Sequence, residues 1–172
     1  MAISILSSEV KTSNGNLTIP VGCSSVIALV LGTTNPTING VSMTQKCSSG
    51  VSISEMPSPP AGTIACTVGQ STRFVYLRGA GLVRSAIAKE EKPFSEDITS
   101  STTDLVLGVS TPNTTSLTVD GGAMTYLDNY SRGYKASADS TATCGADGSD
   151  FTLYAAFVSV QQKKFVSKSH WW

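Results

Sequence analysis

Apolar side chains along this chain recur at alternate positions or in short continuous runs, and no stretch sustains the periodicity of a helix. Ile64, Cys66 and Val68 occupy alternate positions, whereas residues 26–31 are apolar throughout. Alternation is typical of a strand that buries one face, and a short continuous run is typical of a strand buried on both faces. The pattern therefore predicts a chain built of β-strands.

Turn residues separate these runs at short intervals. Asn39-Gly40 is a strong hairpin signal, and the Asp-Gly-Gly sequence at residues 120–122 marks a second turn. The stretch EMPSPPAGTIACTV, residues 55–68, places three prolines and a glycine ahead of an alternating strand. Prolines fix the backbone and end a strand, so this corner is interpreted as a stiff connection. About ten strands at a spacing of roughly 8–14 residues result, as in an all-β sandwich or barrel.

A chain of 172 residues is long enough for one ordinary domain. We predict an all-β fold, a single antiparallel β-sandwich over residues 1–162, followed by a C-terminal interaction tail over residues 163–172. Residues 74–87 are interpreted as one long strand that bends at two glycines, and residues 91–103 as an exposed polar loop. The similarity between NGVSMTQ and GGAMTYL is short and is interpreted as chance, so no internal repeat is predicted.

The charge of the chain is low and balanced. Charged residues make up only 14 %, and twelve acidic residues offset twelve basic ones. Nucleic acid is therefore not an expected partner, because phosphate binding needs a surplus of Lys and Arg. The longest apolar run, VIALVLG, is too short to span a membrane, and the first residues lack the pattern of a signal peptide. A weakly charged surface instead favours a protein that buries surface in an assembly.

Residues suited to catalysis are sparse. The single histidine, His170, lies near the terminus, so no Ser–His pair is predicted and the chain is expected not to be an enzyme. At the proline corner, Glu55 has no evident partner. No cysteine pair has the CxxC spacing of a zinc site, so neither a metal nor a cofactor is predicted. Buried free thiols are expected, with a disulfide as the alternative, at Cys23, Cys47, Cys66 and Cys144.

Both ends of the chain carry apolar residues that are candidates for partner binding. The C-terminal sequence QQKKFVSKSHWW places Phe165, Trp171 and Trp172 among lysines, and large aromatic side chains are enriched at interfaces. We predict that this tail docks on a neighbouring subunit, the alternative being a tail that folds back over its own core. A second arm is predicted at the amino terminus, formed by Ile3, Ile5 and Leu6.

Three tyrosines give a different candidate site. Tyr126, Tyr130 and Tyr134 lie close together in the sequence. A tyrosine ring offers an apolar platform with a polar end, which suits a sugar ring. Tyrosines are also common on ordinary sheet surfaces, so a glycan-binding face and a plain strand surface both remain open.

A series of short motifs resembles a known module. The order LTIPVGCSSVIALVLG, INGVSMTQ, VSISEMPSPPAGTIACTV, VYLRGAG and DLVLGVST is similar to a β-sandwich module of structural proteins from tailed bacteriophages. Residues 59–63, PPAGT, match the corner of that family, and Met43-Thr44 match its hairpin. Ser58 stands where the family has asparagine. The resemblance covers roughly residues 17–161.

This resemblance implies a jelly-roll-like fold and a non-enzymatic place in a phage virion, assembled in the host cytoplasm. The implied role is a capsid decoration (cement) or minor capsid protein that binds and stabilises the outer shell. The implied partners are the major capsid protein or other virion proteins, together with further copies of the chain, a trimer being favoured. The alternative is a tail- or head-fibre-associated module that binds host glycans.

Overall fold

The computed structural model describes residues 3–79, 83–91, 98–111, 117–128, 130–145 and 151–159, and every regular element within them is an antiparallel β-strand. The predicted all-β antiparallel sandwich is confirmed. Sixteen strands occur in these ranges, more than the ten or so that the sequence predicts, because five of them are only two residues long and leave no periodic signal.

The strands fall into two groups along the chain, which we call the N-terminal unit (residues 4–78) and the C-terminal unit (residues 83–158). The N-terminal unit contains β1 (Ser4–Lys11), β2 (Gly15–Ile19), β3 (Ser25–Val30), β4 (Thr37–Ile38), β5 (Val41–Ser42), β6 (Thr44–Ser49), β7 (Val51–Pro57), β8 (Gly62–Thr67) and β9 (Thr72–Arg78). The C-terminal unit contains β10 (Val83–Glu91), β11 (Ile98–Thr111), β12 (Thr118–Val119), β13 (Gly122–Ala123), β14 (Thr125–Tyr126), β15 (Ser131–Gly145) and β16 (Phe151–Val158).

Backbone pairing stays within each unit. The N-terminal unit has a five-stranded sheet, β1-β9-β3-β7-β6, and a four-stranded sheet, β2-β8-β4-β5. The C-terminal unit has one seven-stranded sheet in the order β10-β16-β11-β15-β12-β13, with β14 paired to β15. Among the described residues no ladder joins the two units, and apolar side chains of both units pack between them.

The C-terminal unit repeats the pairings of the N-terminal unit. The β1–β9 pair of the first unit corresponds to the β10–β16 pair of the second. In the first unit β3 lies between β7 and β9, and in the second β11 lies between β15 and β16. The β4–β8 pair likewise corresponds to the β12–β15 pair. The difference lies in length, since β11 and β15 span 14 and 15 residues. Each long strand occupies the place of two shorter ones, which joins the two sheets into one.

The repeat extends to individual residues in one turn. Asn39-Gly40 and Asp120-Gly121 both adopt positive φ, at 53° and 74° in the first pair and 51° and 81° in the second. The methionine that follows each hairpin is buried, and its N–H donates to the carbonyl of Pro36 (Met43, 3.0 Å) or Leu117 (Met124, 3.1 Å). The segments NGVSMTQ and GGAMTYL therefore occupy equivalent hairpins of a structural repeat, which corrects the expectation that the chain has no internal repeat.

Among the described residues, three apolar clusters form the core, one inside each unit and one between the units. Alternate residues of β3 face different clusters: Val26 and Val30 pack inside the N-terminal unit, whereas Ile27 and Leu29 face the C-terminal unit. All six positions of β3 are buried, as its continuous apolar run predicts. The cluster between the units, which we call the inter-unit core, contains Ile3, Ile27, Leu29, Val51, Ile53, Val75, Leu77, Leu105, Leu107, Val109, Tyr154, Ala156 and Val158.

Two segments differ from the sequence prediction. Residues 74–87 belong to two strands, because β9 ends at Arg78 and β10 begins at Val83 in the other unit. Residues 98–103, expected in an exposed loop, form the first part of β11, where a Ser- and Thr-rich stretch pairs with β15. The first error arises at the boundary between the two units, and the second in a polar stretch whose pairing with β15 leaves no apolar alternation.

Gly50, in the turn between β6 and β7, tests the contact between the units. Its φ is +78°, and a Cβ there would lie 3.3 Å from Oγ1 of Thr152 in the other unit. Gly50→Ala is expected to lower the free energy of unfolding by about 1–2 kcal/mol from the left-handed backbone, with an added loss from the contact. The measurement is urea unfolding followed by circular dichroism.

Gly40→Ala is the matched control for this prediction. Gly40 has a similar φ of +74°, but a Cβ there would meet no atom within 4 Å. Gly40→Ala should therefore show the backbone cost alone, and the larger loss should belong to Gly50→Ala. Equal losses in the two variants would contradict the close packing of the units at Thr152.

Candidate functional site

The proline corner between β7 and β8 is held in a defined shape. Ser58 adopts a φ of 51° and Gly62 a φ of 105°. The Ser58 N–H donates to the carbonyl of Ser24 at 2.9 Å, which fixes the corner against the turn that precedes β3. Left-handed backbone is adopted more readily by asparagine than by serine, so Ser58 is a position of mild strain. The corner is the connection between β7 and β8, as interpreted, and its stiffness stays a prediction.

A cleft of about 370 Å³ lies beside this corner. The β4–β5 hairpin forms one wall and the end of β7 with the proline corner forms the other. Val41 on the hairpin is 59 % exposed, whereas Ile38 beneath it is fully buried. Apolar and polar side chains line the cleft in equal numbers, and the apolar ones are Ile38, Val41, Met56, Pro57 and Pro60.

One charged pair lies at the cleft. Glu55 is only 3 % exposed, and its Oε1 is 3.0 Å from Nζ of Lys46. A carboxylate is costly to bury unless it is paired, so Lys46 is the partner that makes this position tolerable. The register of β6 on β7 shifts between Gln45 and Cys47, and Lys46 lies in that irregularity. With its acid paired, the cleft offers apolar surface beside neutral polar side chains.

A second polar cluster joins the two units. Arg73 in β9 donates from Nε to Oδ2 of Asp128 at 2.6 Å and from Nη1 to Oγ of Ser8 at 2.6 Å. Asp128 lies between β14 and β15, and its Oδ1 accepts the N–H groups of Tyr130 and Ser131, both at 2.8 Å. These contacts tie Asp128 to Tyr130 and Ser131 and hold it against the N-terminal unit.

The pKa of the Asp128 carboxyl is shifted by opposing effects. Burial raises the pKa, but the hydrogen bond from Arg73 and those from the backbone of Tyr130 and Ser131 outweigh burial, so the pKa lies below its ordinary value. Asp128 is therefore a stable anion at neutral pH. The cluster borders a cavity of about 230 Å³, and its hydrogen bonds link the two units.

The three tyrosines predicted to bind sugar lie in different surroundings. Tyr126 in β14 is 52 % exposed. Tyr130 is half-buried and lines the 230 Å³ cavity beside Arg73 and Asp128. Tyr134 is placed in β15 opposite Val106, and its side chain lies outside the described part of the structure. Glycan binding by the three stays a prediction.

The predicted amino-terminal arm is part of the fold. β1 pairs with β9 along its length, Ile3 is fully buried in the inter-unit core and Ile5 packs against that core. Leu6 is half-buried against the core of the N-terminal unit. These side chains serve the chain's own packing while β1 stays paired, so a partner role for them stays a prediction. The predicted tail, with Phe165, Trp171 and Trp172, lies outside the described residues.

All four cysteines are free thiols, but the expectation that they are buried holds only for Cys66 and Cys144, since Cys23 and Cys47 are partly exposed. Cys66 and Cys144 are buried at equivalent places in the two units, opposite Ile38 and Val119. Burial raises the pKa of Cys47 to about 12 and also raises the pKa values of Cys23 and Cys66. These three thiols are therefore protonated and weakly nucleophilic at neutral pH.

The polar pairs were missed by the sequence analysis. Arg73 lies in a strand pattern that gives no sign of a partner 55 residues away. The sequence at Asp128 does carry a local signal, because an aspartate in a turn often accepts the backbone N–H of the residue two positions later, as in an Asx turn. In the described residues, no group of three or more His, Cys, Asp or Glu side chains could hold a metal ion.

No protein family, no curated protein and no solved structure matches this chain. Within the described ranges, the structure contains no helix with the length and apolar character needed to cross a membrane. Because no known protein matches, the functional proposal rests on the strand order, the cleft at the proline corner and the sequence motifs.

Proposed function

We propose that the chain is a non-enzymatic structural protein of a tailed-bacteriophage virion, a decoration or minor capsid protein that binds the outer shell and stabilises it. The observation that carries this proposal is the strand order of the N-terminal unit, β1-β9-β3-β7 facing β2-β8-β4-β5. This interleaving supports an eight-strand jelly roll in each unit, an architecture that viral capsid and lectin domains use. The phage-like motifs of the sequence point the same way.

The surface proposed to bind the shell is the end of the N-terminal unit that carries the proline corner. Val21, in the turn before β3, is 89 % exposed, and Val41 on the neighbouring hairpin is also exposed. The Ser58–Ser24 hydrogen bond brings the turn of Val21 and the proline corner together. Exposed apolar side chains on rigid turns lose water at little cost in conformational entropy, so they favour burial against a partner.

The proposed mechanism is adhesive. Two units that share an apolar core form a stiff body, and a stiff body can clamp neighbouring capsomers without ordering itself on binding. The partners would be the major capsid protein or other virion proteins, and the chain would act as a symmetric oligomer, with a trimer favoured. The virion would be its location after assembly in the host cytoplasm.

The test uses phage particles that encode this chain. Particles that lack it should lose integrity at lower temperature, and the purified full chain added back should bind and restore stability. Mass spectrometry of purified particles should find a copy number that matches capsomer symmetry. Absence from the particles would overturn the proposal, and a few copies per particle would favour the fibre-associated, glycan-binding alternative.

A further inference from the structure

We propose that the outer edge of β1 is an interface between two copies of the chain, in which β1 of one copy pairs antiparallel with β1 of the other about a two-fold axis at Val10. The observation that carries the proposal is that residues 8–12, Ser-Glu-Val-Lys-Thr, complement themselves when two copies run in opposite directions. The inference does not rest on the proposed place in a virion, because it concerns contacts between copies of the purified protein.

The strand β1 has one strand neighbour among the described residues. It lies at the end of the sheet β1-β9-β3-β7-β6 and pairs with β9 along one edge. The N–H and C=O groups on the other edge of such a strand are a template for a further strand. Proteins often block an edge with a bulge, but the irregularity in β1 falls between Ile5 and Ser7, and residues 7–11 stay in regular register with β9. This part of the edge is therefore regular enough to receive a partner strand.

The opposite edge of the same sheet is less suited to pairing. It is formed by β6, whose register on β7 shifts in the middle of the strand, between Gln45 and Cys47. Lys46 lies in that irregularity, and its Nζ is 3.0 Å from Oε1 of Glu55. A bulge and a lysine are two of the devices that keep edge strands from pairing. Of the two edges of this sheet, β1 is thus the one that favours a partner strand.

In an antiparallel pair centred on Val10, each residue lies opposite one that suits it. Val10 faces Val10 of the second copy, Glu9 faces Lys11, and Ser8 faces Thr12. Apolar pairs, pairs of opposite charge and Ser–Thr pairs are the cross-strand pairs that stabilise sheets. A register centred on Glu9 or on Lys11 would place like charges directly opposite, and one centred on Ser8 would place both charges opposite uncharged residues. Charge therefore selects Val10 as the centre.

The side chains of this segment are placed to meet a second copy. Val10 is 40 % exposed, and it lines the 230 Å³ cavity together with Leu31 and Tyr130, so a second Val10 set opposite would extend apolar surface. Oε1 of Glu9 is 3.5 Å from Nζ of Lys11, and both side chains are partly exposed. Pairing would join this ion pair to that of the second copy in a ring of alternating charges. Such a network stabilises more than an isolated surface ion pair does.

The mass of the full chain in solution tests the contact. Sedimentation equilibrium over a series of concentrations should find an even number of chains, either a dimer or, where a three-fold contact is also made, a pair of trimers. Lys11→Glu places acidic side chains opposite each other on both sides of the axis, so it should halve that mass. Arg78→Glu is the matched control, because it makes the same change of net charge at an exposed residue of β9 outside the paired segment. It should leave the mass unchanged.

Several outcomes of this experiment would overturn the proposal. They are a mass of one chain at every concentration, an odd number of chains, and an equal loss of mass in Lys11→Glu and Arg78→Glu. A trimer that Lys11→Glu leaves intact would also overturn it, while the proposed role in a virion would stand.

A cross-link tests the register and does not depend on the folding of Lys11→Glu. Val10→Cys brings two thiols together at the two-fold axis, so mild oxidation with oxidised glutathione should yield a covalent dimer that a reducing agent separates. In Val21→Cys the new thiol is at a more exposed position, 89 % against 40 %, but outside β1, so it should yield severalfold less dimer. Equal yields from the two variants would exclude a pair centred on Val10.

Discussion

Replacing Leu107 by alanine is expected to lower the free energy of unfolding by about 2–5 kcal/mol. Leu107 lies in β11 with no exposed surface, in the core shared by the two units. Truncation removes buried apolar atoms and leaves a cavity, because the surrounding strands are held by their ladders and collapse only in part. Urea unfolding followed by circular dichroism measures the loss.

The shape of the unfolding curve tests the arrangement as well as the residue. Ile27 occupies the equivalent position in β3 and faces the same cluster from the other unit. Since the cluster is shared, Ile27→Ala and Leu107→Ala should each shift a single cooperative transition of the whole chain. Val21→Ala, at an exposed position, is the control and should change stability little.

A different curve would contradict the shared core. Two separate transitions, with Leu107→Ala affecting one and Ile27→Ala the other, would mean that each unit is stable without its neighbour. Val106 faces the core inside the C-terminal unit instead. The unfolding curve of Val106→Ala therefore shows the effect of a cavity within one unit alone. The comparison of neighbouring residues thereby separates packing within a unit from packing between units.

Local features of the fold could be predicted from the sequence because each depends on a few neighbouring residues. The run at residues 26–31 predicts a strand buried on both faces, and β3 is that strand. Asn39-Gly40 predicts a hairpin, and positive φ at both residues confirms it. Proline chemistry alone predicts the stiff corner before β8.

The repeat could not be predicted from the sequence, because packing constrains residue types only loosely. Ile27 and Leu107 fill equivalent places with different side chains, as do Tyr76 and Phe157. Cores accept many apolar residues of suitable volume, so equivalent positions need not carry similar sequences. The hairpin is the exception, since left-handed backbone restricts the choice to residues such as Asn, Asp and Gly.

The candidate site depends on the register between paired strands, which local sequence patterns do not predict. Glu55 has no evident partner in the sequence, yet Lys46 pairs with it through a register shift in β6. The cleft exists because the β4–β5 hairpin and the end of β7 are brought side by side from different sheets. Arg73 and Asp128 meet only once the two units pack. Each is a consequence of tertiary structure rather than of a motif.

Replacing Asp128 by asparagine is expected to destabilise the protein by roughly 1–3 kcal/mol at neutral pH, the range for a lost hydrogen bond between charged groups. The Arg73 side chain is only 13 % exposed and that of Asp128 30 %, so water does little to replace the lost partner. Asparagine keeps an oxygen for the N–H groups of Tyr130 and Ser131, which leaves the turn in place. The loss therefore reports the charge pair between the units.

The pH dependence of this loss identifies its origin. The pKa of Asp128 is lower in the folded chain than in the unfolded chain, because Arg73 and two backbone N–H groups outweigh the effect of burial. The stabilisation is then fully present above the unfolded pKa, at about pH 4, and is lost as the pH falls through the folded pKa. The difference in melting temperature between wild type and Asp128→Asn should thus narrow on acidification below that value.

A double-mutant cycle with Arg73→Gln completes the test, since each single change should remove most of what the double change removes. Additive losses, or a difference in melting temperature that stays constant from pH 7 to strong acid, would contradict a charge pair between the units. Because Arg73 belongs to β9 and Asp128 to the turn before β15, coupling of the two residues would also show that the units face each other as the inter-unit core requires.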